Sequence, residues 1–104
     1  MDCARTVTSA LRKLEGEWKI VIINELMAIP ATPLRFSELE RLVDGVSQKM
    51  LISQLKQLER DGIVHRRLYP QVPPKVEYSL AGFGRGLQPA MQALIDWAQS
   101  PVAR

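Results

Sequence analysis

The sequence predicts a mainly α-helical domain with one small β-hairpin. Three observations carry that prediction. Apolar residues recur at helical spacing over most of the 104-residue chain. Two glycine turns, Asp44-Gly45 and Asp61-Gly62, bracket one strongly two-faced segment. Two short β-branched and aromatic runs flank a proline-rich stretch. With 46% apolar and 24% charged residues, the composition is that of a globular chain of one domain.

Taken in order, Val7, Leu11 and Leu14 form a narrow apolar stripe and predict a short helix over residues 7–14. A second, largely buried helix is expected from Glu17 to Met27. There Trp18, Val21, Ile22, Glu25 and Leu26 sit at helical spacing, and Ile20 and Ile23 widen the apolar face. The "AIPATPLR" that follows holds two prolines that a helix interior does not tolerate, and it reads as a loop. Ser37 has Glu40 three residues on, a capping-box spacing, and Phe36 is placed as its hydrophobic staple. A short helix from Glu38 to about Val43 is expected there, ended by Asp44-Gly45.

Ser47 then supplies an N-cap for a helix running to Asp61-Gly62. Leu51, Leu55 and Leu58 recur at i, i+4, i+7 and turn one face of it to a core, whereas Ser47, Gln48, Lys49, Ser53, Lys56 and Arg60 turn outward. Two helices joined by a tight glycine turn, the second polar outside, make a helix-turn-helix over about residues 37–61. Ile63, Val64, Leu68 and Tyr69, then Val76, Tyr78 and Leu80, read as two strands, with Pro70, Pro73 and Pro74 in the connection. A hairpin placed there, over about 63–80, is a wing. The last segment, about 82–99, returns to helical spacing with Phe83, Leu87, Met91, Leu94 and Ala98, and Pro89 predicts a kink or a fresh helix start.

The net charge of +3 is unevenly spread. Residues 47–75 hold Lys49, Lys56, Arg60, Arg66, Arg67 and Lys75 against Glu59 and Asp61, a net +4, while the rest of the chain nearly cancels. Such a localised stripe is either an electrostatic footprint for a polyanion or a solvated face that keeps the protein soluble. One cysteine, Cys3, excludes an internal disulfide framework and a cysteine-rich zinc site, and one histidine, His65, leaves little for a metal site or a catalytic triad. No carboxylate pair, nucleophile–base pair or glycine-rich phosphate loop stands out, so neither an enzyme nor a cofactor is expected. No apolar run approaches the ~20 residues of a membrane helix, and the N-terminus lacks a basic-then-apolar signal. A cytoplasmic protein with no membrane partner is the expectation.

The ordered set "GEWKIVIINEL" (Gly16–Leu26), "RFSEL" (Arg35–Leu39), "VSQKMLISQLKQLERDGIV" (Val46–Val64), "YPQVPPKVEYSL" (Tyr69–Leu80), "GRGLQP" and the late Trp97 resembles the HxlR-type winged helix-turn-helix transcriptional regulators. The resemblance implies a homodimer whose N- and C-terminal helices form the interface and which binds double-stranded operator DNA. It also implies that Cys3, near the position of a sensing cysteine in some members, answers oxidants or electrophiles. Departures from the family pattern are Glu17 where a basic residue is usual, a longer "AIPATPL" loop, Ala81 where a threonine usually caps the last helix, and Ala4 after the cysteine in place of proline.

In this setting Gln48, Lys49, Ser53 and Lys56 are expected to contact DNA, against the alternative of a merely exposed helix face. Ser47 reads a base or only caps its helix. Arg35 anchors a phosphate or is a surface charge, and Arg66, Arg67 and Lys75 on the wing meet phosphate or minor groove. Strand alternation puts Arg66 and Arg67 on opposite faces, so one of them does so directly. Val7, Leu11, Leu14, Leu87, Met91, Leu94 and Trp97 are expected to bury against a second copy, because a chain this small exposes them as a monomer. Cys3 is a redox sensor or an incidental thiol. The alternative from another class is a winged-helix protein-interaction module without sequence-specific DNA binding. The residues name no small-molecule effector.

Overall fold

The computed structural model describes residues 2–28 and 32–101. Its elements are α1 (Cys3–Leu14), α2 (Lys19–Ala28), β1 (Leu34–Arg35), α3 (Phe36–Leu42), α4 (Gln48–Arg60), β2 (Val64–Tyr69), β3 (Lys75–Leu80), α5 (Gly82–Arg85) and α6 (Leu87–Gln99). The fold is mostly helical, with a small antiparallel sheet of three strands in the order β1-β3-β2.

The core lies between α2 and β3. It is built from Ile22, Ile23 and Leu26 of α2, Leu34 of β1, Leu39 and Val43 at α3, Leu51, Leu55 and Leu58 of α4, and Ile63, Val64 and Leu80 along the wing. These are the apolar stripes of the sequence, now facing one another, and their removal from water is the main stabilising term. No residue of α1 or α6 is buried. The two terminal helices reach outward, which stretches the molecule to 59 × 31 × 26 Å. The radius of gyration is 15.4 Å, against roughly 13 Å for a compact chain of this length.

The hairpin gains a third strand that the sequence did not show. Leu34 and Arg35, assigned to the proline loop, pair with Tyr78 and Glu77 of β3. Residues 29–31 of that loop lie outside the described residues. The strand also moves the start of α3 forward to Phe36. The capping pattern of Ser37 and Glu40 is not used; the Arg35 backbone N–H donates to Glu38 Oε1 at 2.9 Å. Because an arginine side chain has no acceptor to return, only half of a capping box forms. Phe36 is therefore the first helical residue and packs half-buried on the core.

Two further boundaries shift. α1 begins at Cys3, four residues earlier than expected, because Asp2 accepts the Arg5 N–H as an N-cap. The C-terminal helix breaks at Gly86 and restarts at Leu87, so Pro89 falls in the first turn of α6, where its missing N–H has no partner to lose. Ala81, the N-cap of α5, makes no side-chain cap bond. Instead Arg85 Nε donates to the Leu80 carbonyl at 3.2 Å, and Gly84 packs against the Ile63 backbone so closely that a Cβ there would overlap the Ile63 oxygen.

Candidate nucleic-acid interface

α4 is held on three sides. At its start Ser47 Oγ accepts the Met50 N–H at 3.1 Å, so this hydroxyl serves as the cap. Gly45, at φ +87°, makes the turn from α3 in a conformation that L side chains avoid, and Trp18 Cη2 would lie 3.5 Å from a Cβ at that position. At its end Gly62, at φ +75°, closes a Schellman motif: Gly62 N–H donates to the Glu59 carbonyl and Ile63 N–H to that of Leu58, both at 3.0 Å. Behind it, Gln54 and the stem of Lys19 are buried against the Gly16 turn.

With Leu51, Leu55 and Leu58 fixed inward, the helical period places Lys49, Ser53, Lys56 and Arg60 along one outward stripe at i, i+4, i+7 and i+11, and all four are exposed. Gln48 is exposed in the first turn, on the flank of that stripe. Ser53 Oγ accepts from Gln57 Nε2 at 3.5 Å, and the exposed Arg60 pairs with the half-buried Asp61 at 3.7 Å.

The wing sorts its cations by face. Val64 is buried, and Arg66, two residues on, shares its side of the sheet. Arg66 closes a recess of about 320 Å³ with Ile52, Leu55, Lys56 and Glu59 of α4 and Tyr78 of β3. Arg67 and Lys75 lie on the other side. The Arg67 guanidinium and the Lys75 ammonium each sit 4.7 Å from the centroid of the Tyr69 ring, and Lys75 Nζ is 3.6 Å from Glu77 Oε2. Glu77 beside the Tyr69 hydroxyl holds its pKa above the usual phenol value. Lys75 is the first residue of β3 and pairs with Tyr69. Arg35 is exposed at the far edge of the sheet on β1.

The structure thus brings Gln48, Lys49, Ser53, Lys56 and Arg66 to one side, with Ser47 at its edge, and ties Arg67 and Lys75 into a cluster on the opposite face of the wing. Sequence reasoning missed two residues. Met50 and Ile52 are each 40% exposed on α4, on either flank of the cationic stripe. Their apolar character inside an outward-facing polar run was the available sign.

The residues expected to meet a second copy divide in two. Leu14, Leu87 and Met91 are half-buried against the chain's own core. Val7, Leu11, Leu94 and Trp97 are open to solvent, Trp97 to 76%, and Ile95 and Phe83 join them. Between α1 and the α5–α6 turn runs a groove of about 650 Å³ whose lining includes Ala10, Leu14, Phe83 and Leu87. Cys3, an unpaired thiol, is exposed at the start of α1. No helix among the described residues is long and apolar enough to cross a membrane.

A helix-turn-helix with a wing and a cationic outward helix defines a class of regulator, and comparison with known proteins gives the family. The HxlR-like helix-turn-helix family profile matches residues 5–104. The chain belongs to this family, and it is a transcriptional regulator of the helix-turn-helix type. It is 43% identical over 93 residues to the HTH-type transcriptional regulator YdeP of Bacillus subtilis (strain 168), a match covering 89% of this chain and 70% of that protein. Among solved structures, a transcriptional regulator of the MarR family from Enterococcus faecalis V583 superposes with a TM-score of 0.88 at 34% identity, over 95% of this chain and 87% of that one. The redox regulator HypR in its reduced form gives a TM-score of 0.81 at 41% identity, over 90% of each chain.

Proposed function

We propose that this regulator binds double-stranded operator DNA sequence-specifically, as a homodimer, with α4 in the major groove and the wing against the backbone. The observation that carries the reading is the stripe Lys49, Ser53 and Lys56 with Arg66 beside it. It is exposed and cationic, and it sits on a helix fixed on its other face by Leu51, Leu55 and Leu58. Gln48 and Lys49 lie in the first turn, the part of such helices that reaches base edges. A glutamine pairs bidentately with adenine and a lysine donates to guanine. Arg66 supplies phosphate contact from the same side. Val7 and Leu11 on α1 and Leu94 and Trp97 on α6 supply exposed apolar side chains that a two-fold partner covers.

A mobility shift with a double-stranded site selected from random sequence, and with the same site scrambled, tests the reading. A shift of the selected site at moderate salt supports it. Equal binding to both returns the wing to the class of protein-interaction modules.

A second reading adds control by oxidation. Cys3 is exposed, and the chain is similar to a protein described as a redox regulator. With one cysteine per chain, an oxidised disulfide joins two subunits or captures a small thiol.

A further inference from the structure

Ile52 is the one apolar residue in the recess that α4 and the wing form together at its open side. It is 40% exposed, whereas Leu55, which also lines the recess, is 2% exposed and belongs to the core. Lys56, one turn along α4, and Arg66, across on β2, flank it within the same recess, with Glu59 and Tyr78 completing the lining. A duplex laid against both α4 and the wing, held by Lys56 and Arg66, closes over this side chain. Gln48 precedes Ile52 by one helical turn on the same flank. Met50 is as exposed but lies about 200° away around the helix, on the flank opposite the recess.

We infer that Ile52 is a specificity-determining residue that recognises a thymine by its C5-methyl group. The major groove presents one apolar feature, the thymine methyl, and an aliphatic side chain is its natural contact. An exposed isoleucine also offers a stiff, branched surface, set by its β-carbon, that loses little entropy on docking. The flanking cations make a neutral apolar ligand without phosphates a poor occupant of the same recess. This inference rests on the DNA-binding reading above and adds to it a base that the polar residues do not select.

Deoxyuridine differs from thymidine only by that methyl, which makes the test direct. The full-length protein selects a site from random double-stranded DNA. Each thymine is then replaced singly by deoxyuridine, and affinities are measured for wild type, Ile52→Ser, Ile52→Val and Met50→Ser. The expected result is one thymine per half-site whose replacement weakens wild type about fourfold, the worth of one buried methyl. Ile52→Ser should show no such penalty at that position, Ile52→Val should keep part of it, and Met50→Ser should keep all of it. A consensus with no methyl-dependent thymine, or a penalty equal in wild type and Ile52→Ser, overturns the inference while leaving sequence reading intact. Failure to select any consensus removes sequence reading itself, and the inference with it.

Discussion

The Arg67 guanidinium lies 4.7 Å from the centroid of the Tyr69 ring, on the face of the wing that points away from α4. Arg66, its neighbour, lines the recess beside Lys56 on the side that faces with α4. Two adjacent arginines therefore have different surroundings: one lies against an aromatic ring, and the other faces the recess where we propose a phosphate contact.

Replacing Arg66 with alanine is expected to weaken binding to all DNA sequences alike. It should also lower the magnitude of the salt slope by about one per subunit, the loss of one phosphate contact. Arg67→Ala should leave the slope unchanged. Titrations at several salt concentrations measure both, and equal slopes for the two variants would contradict the assignment of faces.

Every fully buried core residue among those described lies between Ile22 and Leu80, and past Gln88 only Met91 packs against that core. A chain ending at Gln88 is expected to keep a cooperative unfolding transition but to sediment as a monomer and lose DNA binding. The intact chain should sediment as a dimer at micromolar concentration. A well-folded monomer under those conditions would refute the role given to Val7, Leu11, Leu94 and Trp97.

Gly84 and Gly82 are two residues apart on α5 and differ in what surrounds them. A Cβ on Gly84 runs into the Ile63 carbonyl, whereas one on Gly82 meets nothing within 4 Å. Gly84→Ala should cost about 1–3 kcal/mol or more through overpacking against backbone. Gly82→Ala should be neutral or slightly stabilising. Denaturant midpoints for the pair decide it, and similar midpoints would mean that α5 is not seated on the wing as described.

How much of this was legible in the sequence follows from how local each feature is. α4 was readable because its two faces, its Ser47 cap and its Asp61-Gly62 stop all lie within one stretch of chain. β1 was not, since two residues are a strand only by pairing with Tyr78 and Glu77 more than forty residues away. The same pairing fixed the start of α3 at Phe36 and left Ser37 unused as a cap. Alternation did place Arg66 and Arg67 on opposite faces. Which one lies beside α4 depended on Val64 being buried, and the cluster around Tyr69 on the register that sets Lys75 opposite it. Ile52 was not legible because the recess beside it exists only once the wing folds against α4.

Cys3 is exposed and is the only cysteine in the sequence. Treatment with a thiol oxidant should change operator affinity in the wild type and leave Cys3→Ser unaffected. Identical responses from the two proteins would make the thiol incidental.

The central claim is that α4 reads sequence, and the measurement that tests it most directly is a titration of Gln48→Ala and Lys49→Ala against a selected operator and its scrambled counterpart. Each replacement should cost roughly 1–3 kcal/mol on the selected site and much less on the scrambled one. Losses of equal size on the two DNAs would show that the helix holds DNA without reading it.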